Sequence, residues 1–466
     1  MRDLSLRNER AEALEHGLGL VREAWRSFDA PRPTQPPVSA ETTRMLEVGL
    51  PEDGLGVHTA LDDAERVLNE SLAQSRPRFF GYVGSSGLES SVLADALASS
   101  HDVNLASESA AAQQVERQTL RWVGELVGFP TGGGSFTSGG MLSNLTALMA
   151  ARTRVLPDSR EAGLAGASAT LYASEDAHSS VERAAELMGI GRRSVRRIPV
   201  DEHRRLDPGR LASALVDDRA AGHRPVAVVA TAGTTLTGAV DPIGAIADVL
   251  EGSDVWLHVD GAYGLPAAAT SAASALFEGL DRADSAAVDA HKWLYVPKAC
   301  GVLLVRDPAP LYAAFHHDAA YMLDEVDYVH PVDMTLEYSR PFRSLKLWTA
   351  LRAHGAGAFR DAIGRNIELA RELANHVRSA SNLELVVSEP DLSTVPFRRL
   401  PVSGDVDDHN VRLARALQAD GRVYVTSAVI DGRACLRPCI VNFRTTTDDI
   451  NALVAITEEV GQSIES

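Results

Sequence analysis

Val255-Trp256-Leu257-His258-Val259-Asp260-Gly261-Ala262-Tyr263-Gly264 is a short apolar run that ends in a carboxylate followed by small residues. A run this short and this apolar suits a strand buried on both faces, the pattern of a parallel sheet, and it places Asp260 at the strand's carboxyl end. Working outward, similar runs recur at helix-length intervals: Ala169 to Tyr172, Arg196 to Val200, Val226 to Ala230, Ser285 to Val288 and Gly301 to Val305. Strands separated by helix-length segments imply right-handed crossovers and a mainly parallel sheet covered by helices. The fold class is therefore α/β, and residues 81–352 form its large domain. Open sheets of this kind bind ligands beyond the carboxyl ends of their strands, so polar residues there are the candidates for function.

The flanks read differently. From Asn8 to Phe28 apolar residues recur at helical spacing, and the stretch ends in Pro31-Arg32-Pro33-Thr34-Gln35-Pro36-Pro37, which cannot continue a helix. Residues 1–80 are read as a helical arm without a core of its own, which packs on a larger body or on a second subunit. After Arg352-Ala353-His354-Gly355-Ala356-Gly357 the pattern becomes a long helix (Ala358 to Ala380), short strands around Leu383 to Val387, Thr394 to Arg398, Val423 to Ser427 and Cys435 to Asn442, and a final helix from Thr447. Residues 353–466 are read as a smaller α+β domain.

Composition narrows the function. The 466 residues carry 45 Lys+Arg against 63 Asp+Glu, a net charge of −18, with no basic run able to track a phosphate backbone, so nucleic acid is not an expected partner. There is no run of 18 apolar residues and no basic-then-apolar leader, so no membrane association is expected, and the cytoplasm is the expected compartment. The cysteines, Cys300, Cys435 and Cys439, are too few and too scattered for a disulfide framework or a metal site.

The residues that carry chemistry follow strands. Asp289-Ala290-His291-Lys292-Trp293 comes directly after one, and an amine held neutral in an interior cavity can form a Schiff base. Asp260 needs a cationic partner if buried, and a protonated pyridine nitrogen is one; Ala262 is small enough to let a flat ring lie against the strand end. The turn Ser138-Gly139-Gly140-Met141 opens a helical pattern and offers free backbone N–H groups to a phosphate. It matches neither Gly-x-Gly-x-x-Gly nor a Walker loop, which removes support for dinucleotide and nucleoside triphosphate ligands. His178, before Ser179, can stack on a flat cofactor, and Thr234 supplies a hydroxyl after another strand. Each signal alone suits a capping or loop residue; together they describe a pyridoxal 5'-phosphate site.

The order Ser138-Gly139-Gly140, His178, Thr234, His258-Val259-Asp260, His291-Lys292 resembles the group II pyridoxal-phosphate-dependent amino acid decarboxylases, the family of aromatic-L-amino-acid decarboxylase. The likeness runs from Pro77-Arg78-Phe79-Phe80-Gly81-Tyr82 through Phe342-Arg343-Ser344-Leu345-Lys346-Leu347-Trp348. It implies fold type I, with a seven-stranded sheet, an N-terminal arm exchanged in a homodimer and a small C-terminal domain. It implies that Lys292 forms the internal aldimine, that Asp260 keeps the pyridine nitrogen protonated and that His178 stacks on the ring. Ser138, Gly139, Gly140, Met141, Ser179, Thr234, Ala262 and His291 would help hold the cofactor. Asp289 stands where many relatives are expected to carry asparagine.

The implied reaction is decarboxylation of an L-amino acid, with protonation giving an amine and attack by O2 giving an aldehyde. The family's loop tyrosine, which favours protonation, matches Tyr328, with Tyr321 and Tyr338 as alternatives; Arg340-Pro341-Phe342 departs from the usual paired arginines. Tyr82, Val83, Asn104 and Gln74 are the expected substrate-pocket residues, followed by Ser107, Glu108 and Ser109. Amide and aliphatic side chains stand at three of those positions where relatives acting on aromatic substrates carry rings, so the expected substrate is polar or non-aromatic. Decarboxylation-dependent oxidative deamination, β-elimination and a non-catalytic scaffold are the competing readings.

Overall fold

The apolar runs do become strands, and their alternation explains why they are apolar throughout. The computed structural model describes residues 4–29, 32–106, 109–164, 166–317 and 329–465. A seven-stranded sheet comprises β1 (Gly133–Thr137), β2 (Ala169–Ser174), β3 (Val195–Ile198), β4 (Arg224–Thr231), β5 (Trp256–Asp260), β6 (Ser285–Asp289) and β7 (Gly301–Val305), in the order β1-β7-β6-β5-β4-β2-β3. Neighbouring strands from β3 through β2, β4 and β5 to β6 pair in parallel, whereas β7 pairs antiparallel with both β6 and β1. Val228 and Ala230 of β4 enter one apolar cluster and Ala227 and Val229 the other, so both faces of the sheet are buried.

β1 is the strand that periodicity missed, because Gly132-Gly133-Gly134 reads as a turn. The glycines are there for contact: a Cβ on Gly134 would stand 1.9 Å from the Leu303 carbonyl oxygen of β7, and one on Gly132 would stand 2.3 Å from that of Arg306. β1 then runs straight into the helix Gly140–Val155, which packs under β4 to β7.

A second sheet of β8 (Leu383–Leu385), β9 (Phe397–Arg399), β10 (Ser427–Ile430) and β11 (Arg433–Leu436) is antiparallel, in the order β10-β11-β9-β8. It shares a core with the helices Val406–Asp420 and Thr447–Ser463. Val423 to Thr426, expected as strand, instead precedes β10; Tyr424 makes only an isolated bridge to Phe79. The long helix Arg343–Ser379 passes beside both sheets and breaks at Gly355 (φ 73°, ψ 157°), where the sequence pattern changes. These two architectures, a mainly parallel sheet with helices and a small antiparallel sheet, are those of fold type I. No helix among the described residues is long and apolar enough to cross a membrane.

Candidate active site

A cavity of about 220 Å³ opens at the carboxyl ends of β4, β5 and β6. Its walls include Lys292, Asp260, His178, Gly140, Met141, Ala262, Asp289, Tyr82 and Val83, all singled out from the sequence. The crossover topology is what gathers them, since each follows a different strand or turn.

Lys292 lies on the short helix Ala290–Trp293. Trp293, fully buried, stacks on Tyr263 with centroids 5.2 Å apart and donates from Nε1 to Asn366 Oδ1 at 3.0 Å, which anchors the helix. Lys292 Nζ stands 3.0 Å from Asp289 Oδ2, three residues earlier on the same face. Asp289 is only 3% exposed, and its Oδ1 has no hydrogen-bond partner. His291 turns away: its Nδ1 accepts from Cys300 N–H at 3.2 Å, its ring would lie 3.3 Å from a Cβ on Gly139, and burial lowers its pKa.

Asp260 ends β5. Its Oδ1 accepts from Ala262 N–H at 3.2 Å and its Oδ2 from Asn144 Nδ2 at 2.8 Å. The helix carrying Asn144 begins at Gly140 with no side-chain cap, so the Gly140 and Met141 N–H groups face the cavity end. Gly140 admits no side chain: a Cβ would come within 2.8 Å of Ala262 Cβ and 3.0 Å of Asp289 Oδ2. His178 lies at the rim, with Nδ1 accepting from Ser180 N–H at 3.2 Å.

The other named residues lie around this centre. Thr234 is buried in its turn, its hydroxyl paired with that of Thr237 at 2.9 Å, while the neighbouring Thr231, Gly233 and Thr235 line the wall. Ser138 is exposed, and Ser179 precedes the helix Ser180–Leu187. Gln74 Oε1 accepts from Lys298 Nζ, and Lys298 is held below the ordinary lysine range by burial and by Lys292. Asn104 braces a loop, its Oδ1 accepting from Ala106 N–H and Arg340 N–H, both at 3.1 Å. Tyr338 is 46% exposed and does not line the cavity. Tyr328, Tyr321, Ser107 and Glu108 lie outside the described residues.

Sequence reading did not single out Asn144 or Arg437. Arg437 is 5% exposed, lines the cavity, and donates to Thr235 O at 3.1 Å and to Thr426 Oγ1 at 3.2 Å. It follows β11 some 145 residues beyond Lys292, so no local spacing signals it. Asn144 had a signal, an amide about one helical turn past the glycine turn that opens its helix.

Residues 40–400 match the pyridoxal-dependent decarboxylase conserved domain. The chain belongs to the pyridoxal-phosphate-dependent amino acid decarboxylases. It is 34% identical over 434 residues to aromatic-L-amino-acid decarboxylase of Bacillus atrophaeus, covering 90% of this chain and 89% of that one. It is 32% identical to L-2,4-diaminobutyrate decarboxylase of Rhizobium meliloti (strain 1021), over 90% and 84% of the two chains. Among solved structures it is similar to Oryza sativa TDC bound to PLP and tryptamine, with TM-score 0.92, 26% identity and full coverage of both chains.

The decarboxylase site fits this cofactor on its own geometry. The glycine-floored helix start can take a phosphate, Asp260 can take a ring N–H, and Lys292 can reach an aldehyde. The Asp289 carboxylate beside that helix start opposes an added anion.

Proposed function

We propose that this decarboxylase acts on an L-amino acid with a polar, non-aromatic side chain and releases the corresponding amine. Bound pyridoxal phosphate supplies the carbonyl that takes the substrate's amine and the ring that accepts the electron pair left as CO2 departs. Lys292 holds the cofactor and exchanges with the substrate amine, Asp260 accepts the ring N–H, and His178 covers the ring. The Gly140 and Met141 N–H groups hold the phosphate. Tyr328 carries the proton to the substrate carbon in this reading.

The observation that carries the substrate class is the polar character of the cavity wall that Arg437 and Thr231 share. Three N–H groups of Arg437 are held, two on Nη1 by Thr235 O and Tyr82 O and one on Nη2 by Thr426 Oγ1, which fixes the guanidinium at the cavity wall and leaves its Nε–H and second Nη2–H for an acceptor on the substrate. Thr231 Oγ1, buried at the same wall without a partner, adds a second group that an apolar ring would leave unsatisfied. Relatives acting on aromatic amino acids and on L-2,4-diaminobutyrate are similarly close, so the wall chemistry is the better guide. Their decarboxylase activity favours neither oxidative deamination nor β-elimination.

We also infer a homodimer. The helix Arg10–Phe28 leaves Leu14 63% and Leu18 47% exposed, apolar surface that a second copy would cover. Light scattering should give twice the chain mass; a monomeric holoenzyme would contradict it.

The deciding experiment is mass-spectrometric product analysis on cofactor-loaded enzyme offered aromatic, acidic, diamino, small and sulfur-containing L-amino acids, with O2 and peroxide followed in parallel. Amine from a polar substrate with steady O2 is expected, and Lys292→Ala should lose all turnover. Preference for tyrosine or tryptophan would overturn the substrate class, and aldehyde with O2 consumption would overturn the product.

A further inference from the structure

Trp256, His258 and Asp260 alternate along β5, so all three side chains point to the same face of the sheet, the face covered by the helix Gly140–Val155. Ser285 of β6 pairs in register with His258. Between them runs an unbroken buried chain of hydrogen bonds. Trp256 Nε1–H donates to Ser285 Oγ at 2.7 Å, and Ser285 Oγ and His258 Nδ1 are 2.8 Å apart. His258 Nε2 and Asn144 Oδ1 are 3.0 Å apart, and Asn144 Nδ2 donates to Asp260 Oδ2 at 2.8 Å. Trp256, Ser285, His258 and Asn144 are each no more than 1% exposed, so solvent cannot substitute for any link.

The two ends of the chain set its direction. An indole N–H can only donate and a carboxylate can only accept. Ser285 Oγ, accepting from Trp256, donates its O–H to His258 Nδ1. His258 then carries its proton on Nε2 and donates to Asn144 Oδ1, which turns the Asn144 amide so that its NH2 faces Asp260. The second hydrogen of that NH2 goes to Ser180 Oγ at 3.0 Å, so the amide has no spare group with which to rotate. Reversing the amide would set oxygen against oxygen at Asp260 and hydrogen against hydrogen at His258, between groups that are all buried. His258 stays neutral because burial lowers its pKa to about 4.

We infer that Trp256, Ser285, His258 and Asn144 form a positioning relay that imposes a single hydrogen-bond polarity on Asp260 and so presents it to the cofactor's ring nitrogen in one orientation, as an acceptor. The inference rests on the role proposed for Asp260. His258 and Asn144 are positioning residues; neither touches the reacting atoms.

The test uses holoenzyme loaded with cofactor carrying 15N in its ring, whose chemical shift reports whether that nitrogen is protonated. Wild type should show the protonated shift. His258→Gln keeps an N–H donor toward Asn144 and should keep the shift, with kcat within a few-fold. His258→Leu removes the donor and should move the shift toward neutral pyridine, lowering kcat about tenfold at unchanged KM, the size of effect seen when outer partners of a metal ligand are lost. Should His258→Leu not fold, Ser285→Ala releases the same tautomer by removing one hydroxyl, and its shift should move the same way. A wild-type shift and kcat in His258→Leu, or in Ser285→Ala if that replaces it, would overturn the relay, as would equal losses in the Gln and Leu variants. The shift is read without amino acid, so an unprotonated ring nitrogen in wild type would instead sink the role of Asp260 itself.

Discussion

Asp289 holds Lys292 at 3.0 Å while its second oxygen lies unpartnered near the start of the helix Gly140–Val155. A phosphate arriving at that helix start meets a like charge at close range, in a site too buried to screen it. Asp289→Asn should therefore tighten pyridoxal phosphate binding about tenfold at pH 8, equivalent to about 1.4 kcal/mol, as read by fluorescence titration of the apoenzyme. Weaker binding would show that the carboxylate serves the cofactor.

His258 gives a second expectation. Its pKa is lowered by burial from 6.5 to about 4, so as pH falls the unfolded chain takes up this proton before the folded one. Its contribution to stability is present above about pH 6.5 and is lost as pH falls toward 4, on the order of 3 kcal/mol in all. Asp241 works oppositely: burial raises it from 3.8 to about 7, so its contribution is lost as pH rises through that interval. Comparing urea unfolding of wild type and His258→Gln at pH 4.5 and 7.5 cancels the Asp241 contribution. The variant should lose less stability at the lower pH, and parallel losses would contradict the assignment.

Among the elements, the helix Arg343–Ser379 shows how a local conformation shapes the fold. Gly355 interrupts it with φ 73° and ψ 157°, a region that side chains other than glycine rarely enter, and no neighbouring atom would obstruct a Cβ. Gly355→Ala should thus cost backbone strain alone, about 1–3 kcal/mol in urea unfolding, without altering cofactor affinity. The same reasoning separates the strands that could be read from the one that could not. β2, β4, β5, β6 and β7 are apolar because both faces are covered, and that pattern is local. β1 is glycine-rich because β7 crowds it, a constraint imposed by residues about 170 positions away.

Across the whole molecule, Arg340 ties together parts of the chain far apart in sequence. Its guanidinium, 1% exposed, donates from Nη2 to Glu116 Oε1 at 2.6 Å and from Nη1 to Phe136 O at 3.2 Å. Its backbone N–H donates to Asn104 Oδ1 and its carbonyl accepts from Leu105 N–H. The departure from paired arginines noted at Arg340-Pro341-Phe342 thus coincides with a buried ion pair that joins the helix Ala111–Val127 and β1 to the segment after residue 329. Glu116→Ala would leave the guanidinium buried and uncompensated, and the urea midpoint should fall by the equivalent of about 3–5 kcal/mol. A loss below about 1 kcal/mol would show that water replaces the carboxylate.

Much of the site could be read from its residues because its chemistry is written at strand ends. Asp260 and Lys292 sit one and four residues past apolar runs and His178 six, and the hydrophobic effect that buries those runs also brings their ends to one edge of the sheet, where the glycine turn at Gly140 joins them. Arg437 and the Asn144 amide owe their places to packing between distant segments, and Gln74 and Asn104 found partners in Lys298 and the Arg340 backbone rather than at the cavity wall. Strand periodicity and the residue types at strand ends are local properties, present in the chain before it folds. Which buried donors face which acceptors depends on where segments hundreds of residues apart meet, and only the folded chain brings them together.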